Sequence, residues 1–337
     1  MISFYNFANI SLSTGKTPIN LLLFAFGFYI LVKGSDIFVD AASDIAHHYK
    51  ISELIIGLTL VSIGTSLPEF ATNVCASLLG EGEIALGDVL GSNITNIALV
   101  LGVGTLLSGK LPVTKVVLKR DISIMMSVFL LFSALCYVGL KGKTHILSKL
   151  DGGILLFSCL VYCFFLFSHK DMLAEELSAH KERNIKLLYS WLLLIAGGTM
   201  IFLGAKLLVD NTVQIATAFN LNKGVIAATI VAFGTSAPEL AVTIASVKKG
   251  KNGIALGNVI GSCTLNILLV MGASALIAPI AVPLNMLFFI FPIMIICGVL
   301  LAIFMRTNWK LERYEGIILL FIYVLFIIYN ISQISNT

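Results

Sequence analysis

Ten continuously apolar stretches, each long enough to cross a bilayer as a helix, are the feature that most limits what this chain can become. They cover about 19–41, 53–79, 84–107, 122–140, 150–168, 187–209, 224–247, 254–277, 284–305 and 315–332. A β-barrel would need alternating apolar and polar residues, and these runs do not alternate. The charge content agrees. Only 12% of the 337 residues are charged and mean hydropathy is +0.99, too few charges to cover a water-soluble surface. An all-α polytopic membrane protein is expected. The net charge of +4 is then no nucleic-acid signature, and what matters is where the charges sit.

Positive residues favour the cytoplasmic side of a membrane. Odd-numbered loops hold Lys50, the 110–120 group, the 170–186 group, Lys248, Lys249, Lys251, Arg306, Lys310 and Arg313, in all 15 of the 22 basic residues. The opposite side holds Lys16, Lys141, Lys143, Lys149 and Lys223. Both termini are therefore expected on the extracytoplasmic face, and no cleavable leader is expected over Met1–Thr17. The six cysteines lie inside apolar stretches without metal or disulfide spacing and read as small buried residues.

The chain repeats itself. Adding 170 to the residue number superimposes 34–107 on 204–277 without a gap. SIGTSLPE (62–69) falls on AFGTSAPE (232–239), and IALGDVLGS (84–92) on IALGNVIGS (254–262). Gly34 meets Gly204, Asp40 meets Asp210, and Asn96 meets Asn266. Five spans per half is an odd number, so the second copy starts on the opposite side. The organisation expected is a first five-helix repeat over 1–168, a central cytoplasmic loop over 169–186, and a second, inverted repeat over 187–337. Inverted repeats characterise secondary transporters, which bind their cargo near the midplane where the repeats meet; channels also use them.

Within the membrane, Glu69 and Glu239 stand out. A carboxylate at that depth costs about 3 kcal/mol or more unless paired or neutralised, and here it is duplicated within a polar motif. Thr65, Ser66 and Glu69 share one helix face, as do Thr235, Ser236 and Glu239. Pro68 and Pro238 lack an N–H, so both helices are expected to break there and expose carbonyl oxygens. Further along, Ser92 with Asn96 and Ser262 with Asn266 add neutral oxygens at i, i+4 spacing. Two carboxylates among neutral oxygens, without thiolate or imidazole, suit a hard cation such as Ca²⁺, or two or more Na⁺ competing for the same charge.

The doubled G-T-S-x-P-E and G-[DN]-x-x-G-S-x-x-x-N motifs in inverted halves resemble the sodium/calcium exchanger branch of the cation/calcium antiporters. The short central loop is similar to that of prokaryotic members, which implies residence in a prokaryotic plasma (inner) membrane. The resemblance implies that Glu69 and Glu239 bind Ca²⁺ with the carbonyls of Thr65 and Thr235. It implies Na⁺ at Ser66, Ser92, Ser236 and Ser262 with the carbonyls of Ser62 and Ala232, and Asn96 and Asn266 completing the centre. Spans one and six would slide, at Gly34 and Gly204, to alternate access. Ca²⁺ and Na⁺ are then cargo, with no resident cofactor and no enzymatic activity expected. H⁺ in place of Na⁺, or a cation channel, are the alternatives; an intramembrane hydrolase fits poorly because the two acidic motifs are nearly identical.

Some positions depart from that pattern. Cys263 stands where an Asn usually follows Gly-Ser, making one half less polar, and Asn266 argues against a potassium requirement. Asp88 is the charged counterpart of Asn258, read either as a helix-end charge satisfied by water or as part of the ion pathway. Lys33 with Asp36, and Lys206 with Asp210, are expected to pair along their own helices. His47 and His48 are expected in a solvated loop.

Overall fold

The computed structural model describes residues 17–138, 140–141, 144–168, 187–218, 232–284 and 286–335. The central loop 169–186 and residues 224–231 of the seventh apolar run lie outside them. Among the described residues, eight unbroken helices are long and apolar enough to span a membrane: α1 (Ile19–His48), α4 (Gly82–Ser108), α5 (Val117–Tyr137), α6 (Lys149–Ser168), α7 (Leu187–Thr212), α10 (Asn252–Ile277), α11 (Met286–Arg306) and α12 (Arg313–Ser332). A ninth span is split into α2 (Glu53–Thr65) and α3 (Leu67–Leu78), bent by 47° at Ser66. The described part of the tenth repeats this break, with α8 (Ala232–Thr235) and α9 (Ala237–Lys248) on either side of Ser236. Nine of the apolar runs, and the described part of the seventh, thus fall on helices.

The halves run in opposite directions, as the geometry of α1 and α7 makes plain. On α1, Gly27 faces Gly204 and Leu207, whereas Gly34 faces Gly197 and Met200. Numbers rise along one helix as they fall along the other, so these equivalent spans are antiparallel. Glycine is required at this crossing, since a Cβ on Gly34 would lie 2.7 Å from that of Met200 and 3.0 Å from the Gly197 carbonyl oxygen. Small residues let the backbones approach where lipid gives helices no hydrophobic reason to associate. By contrast α2 and α10 run in parallel: Gly253 abuts Leu54, Gly257 abuts Leu54 and Leu58, and Gly261 abuts Leu58 and Ser62.

Five short strands among the described residues, absent from the sequence reading, report the same inversion. They are β1 (Lys110–Pro112), β2 (Leu140–Lys141), β3 (Thr144–Leu147), β4 (Ile280–Val282) and β5 (Lys310–Glu312). β1 and β4 are counterparts 170 residues apart, yet they join different sheets. β1 pairs antiparallel with β5, Leu111 opposite Leu311; β4 pairs with β3, Ala281 opposite Ile146. The loop after the third span therefore lies beside the loop after the ninth, and the loop after the fourth beside the loop after the eighth. Same-direction halves would have put β1 and β4 on one face.

The core follows from this exchange. α4 and α10, the counterpart spans carrying the Gly-Ser motifs, are the most deeply enclosed of the spanning helices. Leu86, Leu90, Ile94, Ile97 and Leu101 on α4, with Val259, Ile260, Ile267 and Met271 on α10, are buried in one cluster with α5 and α11 side chains. A second cluster joins α1 and α7 to the broken spans. Outer helices turn Leu160, Phe164, Phe321 and Ile328 to the surface. Those side chains would face acyl chains, so lipid-facing exposure costs nothing here.

Candidate functional site

The two breaks are near copies. Ser66 has φ −85° and ψ 4°, Ser236 φ −87° and ψ 3°, and each opens a half-helix with proline in its first turn. Proline suits that position because first-turn N–H groups have no partner within the helix. The carbonyls of Ser66 and Ser236 then accept from Phe70 and Leu240 N–H, at 2.9 and 3.1 Å. Glu69 and Glu239 fall on the third residue of their half-helices, near the positive end of the helix dipole, where a carboxylate is favoured. Both are buried, at 1% and 0% exposure.

The inverted halves meet at these carboxylates. Ser66 donates to Glu239 Oε1 at 3.2 Å, and Ser262 donates to the same oxygen at 3.4 Å. Glu69 lies within electrostatic reach of Glu239 and Asp88. Both oxygens of Glu69, Glu239 Oε2, the hydroxyls of Ser92 and Ser236, and the side-chain amides of Asn96 and Asn266 are buried without hydrogen-bond partners. Each orphan in a folded core costs about 1–3 kcal/mol, more if charged. Their concentration around two carboxylates gives a cluster rich in oxygens and able to coordinate a cation.

Asn96 and Asn266 also begin π-helical turns, Asn96–Val100 in α4 and Asn266–Met271 in α10. Such turns widen a helix and recur at functional positions. The first packs against α9 and α10, the second against α3 and α4. The carbonyl of Ser62 already accepts from Ser66 N–H at 3.0 Å, and the Thr65 hydroxyl lies 3.3 Å from it, its one proton shared with Asn258.

Two hydrogen-bonded brackets around the breaks were not legible in the sequence. Thr65 Oγ1 donates to Asn258 Oδ1 at 3.0 Å, and the Asn258 amide donates to Thr243 Oγ1 at 3.2 Å and to the Glu239 carbonyl at 3.3 Å. In the other half Thr235 Oγ1 donates to Asp88 Oδ1 at 3.3 Å. Asn73 donates to Asp88 Oδ2 at 2.7 Å and to the Glu69 carbonyl at 2.8 Å. Two of these contacts correspond across 170 residues, Thr65–Asn258 with Thr235–Asp88 and Asn258–Thr243 with Asp88–Asn73, whereas the glutamate carbonyl takes its donor from Asn258 in one bracket and from Asn73 in the other. Asp88 is thus held by protein donors, which corrects the reading of a helix-end charge satisfied by water. The available signal was that Asn73 and Thr243 each follow a motif glutamate by four residues.

Asp36 is not engaged as expected. Lys249 lies 2.8 Å from Asp40 and 3.5 Å from Asp36, and Lys251 lies 2.9 Å from Asp40. The loop after α9 therefore ties down α1, in place of a Lys33–Asp36 pair along one helix. Lys206 does act on Asp210 within α7, as expected. Cys263 is fully buried and its thiol points to the Asn93 carbonyl at 3.8 Å. His47 and His48 close α1 as its last residues and do not form a separate loop.

An inverted-repeat helical membrane protein with an oxygen-lined, doubly acidic centre is a transporter by class. The sodium/calcium exchanger protein family matches residues 19–168 and 189–332, and the chain belongs to that family. The sodium/calcium exchanger MaX1 of Methanosarcina acetivorans is 36% identical, over 92% of this chain and 98% of its own length. The inner membrane protein YrbG of Escherichia coli is 37% identical, over 75% and 78%. A solved structure of the sodium-calcium exchanger NCX_Mj, soaked with Na⁺ and Sr²⁺, superimposes with a TM-score of 0.78 at 32% identity. That match covers 92% of this chain and 97% of the other.

Proposed function

We propose that this protein is a secondary antiporter that expels Ca²⁺ in exchange for Na⁺ by alternating access at one shared site. The observation carrying it is the junction at Ser66 and Glu239, where two buried carboxylates from oppositely directed halves converge among unpartnered oxygens. Two negative charges balance one Ca²⁺ or two Na⁺, and a third Na⁺ would make the cycle electrogenic. Glu69 and Glu239 would hold Ca²⁺ with the carbonyls of Thr65 and Thr235. Ser66, Ser92, Ser236 and Ser262, with the Ser62 and Ala232 carbonyls, would hold Na⁺, and Asn96 and Asn266 would line the centre. No resident cofactor enters this scheme.

The same reading takes 1–168 and 187–337 as the two halves and 169–186 as a cytoplasmic connection. The excess of Lys and Arg in odd-numbered loops supports termini on the extracytoplasmic face of a prokaryotic plasma membrane. Reconstituted protein should take up Ca²⁺ into liposomes when an outward Na⁺ gradient is imposed, with the pH gradient collapsed. Flux that follows only H⁺, or that runs without a coupling ion, overturns the proposal. Glu69→Gln and Glu239→Gln should each abolish exchange; intact uptake in either would remove the shared site.

A further inference from the structure

The two brackets around the breaks do the same mechanical work with different charge. In one, Asn258 is a neutral amide that accepts from Thr65 and donates to Thr243 and the Glu239 carbonyl. In the other, Asp88 can only accept, and the donors come from Thr235 and Asn73. A neutral amide holds the equivalent position in the other half, where Thr243 accepts from Asn258 while Asn73 donates to Asp88. The architecture thus tolerates a neutral residue at one of the two equivalent positions, and placing a negative charge at position 88 beside Glu69 carries an electrostatic cost.

Exposure differs between the brackets in the same sense. Asn258 and Thr65 are sealed at 0% and 1% exposure, whereas Asp88 and Thr235 are only half-buried. Pro68 is half-buried while its counterpart Pro238 is buried. Asp88 lies in the second turn of α4, just inside the turn at 79–81. Exposed Glu81 and Glu83 stand at that mouth, where the other half carries Lys251 and Gly253. At the sealed mouth Lys249 and Lys251 are occupied by Asp36 and Asp40. Charge and exposure thus separate the two mouths, and Asp88 is where the acidic one reaches the half-helices.

We propose that Asp88 is a positioning residue that concentrates cations at its own mouth of the transport pathway and hands them to the Glu69 side of the site without being a ligand in it. This rests on the antiporter reading and on the orientation given above, which puts this mouth on the extracytoplasmic face. A cleft lined by one sign of charge raises the local concentration of its counter-ion, and does so on one side only.

The test is Ca²⁺ exchange in proteoliposomes with uniformly oriented protein, the half-saturating Ca²⁺ concentration being measured separately from each face. Asp88→Asn should raise that concentration about five- to tenfold from the extracytoplasmic face and leave the other face and the maximal rate within about twofold. Asn258→Asp should lower it from the cytoplasmic face. Equal shifts from both faces would mean that Asp88 acts on the central site as a whole, and opposite shifts that it sets the conformational balance; either overturns the proposal. No Na⁺-driven Ca²⁺ flux in the unmodified protein would instead overturn the antiporter reading beneath it. Should Asp88→Asn not yield folded protein, Asn258→Asp alone carries the test, and an unshifted cytoplasmic value then overturns the proposal.

Discussion

Ser66 in the first half donates its hydroxyl proton to Oε1 of Glu239 in the second, across 3.2 Å of protein interior. Its counterpart Ser236 makes no equivalent bond to Glu69, and both oxygens of that carboxylate are left over. Two nearly identical motifs are thus held unequally, with Glu239 anchored by two serines and Glu69 presented open.

That inequality predicts unequal mutational costs. Ser66→Ala removes a hydrogen bond to a buried charged group, about 1.5–3 kcal/mol. Ser236→Ala removes a hydroxyl without a partner. In detergent without Ca²⁺ or Na⁺, Ser66→Ala should lower the melting temperature by several degrees, and Ser236→Ala should leave it nearly unchanged. Equal losses would contradict the asymmetry.

The crossing of α1 and α7 is a second point of sensitivity. A methyl group on Gly34 meets the Met200 side chain and the backbone around Gly197. Gly34→Ala should therefore destabilise the protein by about 1–3 kcal/mol through overpacking. At Gly153 no atom beyond its own helical turn lies within 4 Å of the position a Cβ would take. Gly153→Ala should be neutral or stabilising by up to about 1 kcal/mol, since alanine is the better helix former. Thermal unfolding of the two variants side by side checks this.

Asp40 joins α1 to the loop after α9 through Lys249 and Lys251. These pairs are partly solvated, so Asp40→Asn should cost no more than about 1 kcal/mol. Its effect on melting should shrink as salt rises from 0.01 M toward 1 M, where the screening length falls to about 3 Å. An effect independent of salt would mean that Asp40 acts through packing.

The strand exchange is open to chemical capture. Lys110 lies opposite Glu312 in the β1–β5 pair, and residues so placed have Cα atoms about 4.5–5.5 Å apart. That is within disulfide reach. Lys110→Cys combined with Glu312→Cys should cross-link on mild oxidation, seen as a shift on a non-reducing gel. Lys110→Cys with Ala281→Cys should not, because β1 and β4 belong to different sheets. The opposite result would overturn the inverted arrangement.

Much of this architecture was readable because it is written in one dimension. The 170-residue offset fixed the repeat, and an odd number of spans fixed its inversion before α1 and α7 were seen to run antiparallel. Pro68 and Pro238 marked the breaks to within two residues. What escaped depends on distance through space. Lys249 donates to the Asp36 carbonyl from 213 residues away, and no spacing rule reaches that far. The strands are two to four residues long and lie in loops read only for charge. The brackets of Thr65 with Asn258 and Thr235 with Asp88 join opposite halves, so their logic appears only when the halves are set against each other.

Because β1 completes its ladder with β5 and β4 with β3, neither half closes on its own. A chain ending before residue 169 would insert with β1 as a bare edge and the glycine face of α1 uncovered. Such a fragment finds what it lacks only in a copy inserted upside down. One continuous chain makes permanent a pairing that two separate halves would have to reach by meeting in opposite orientations.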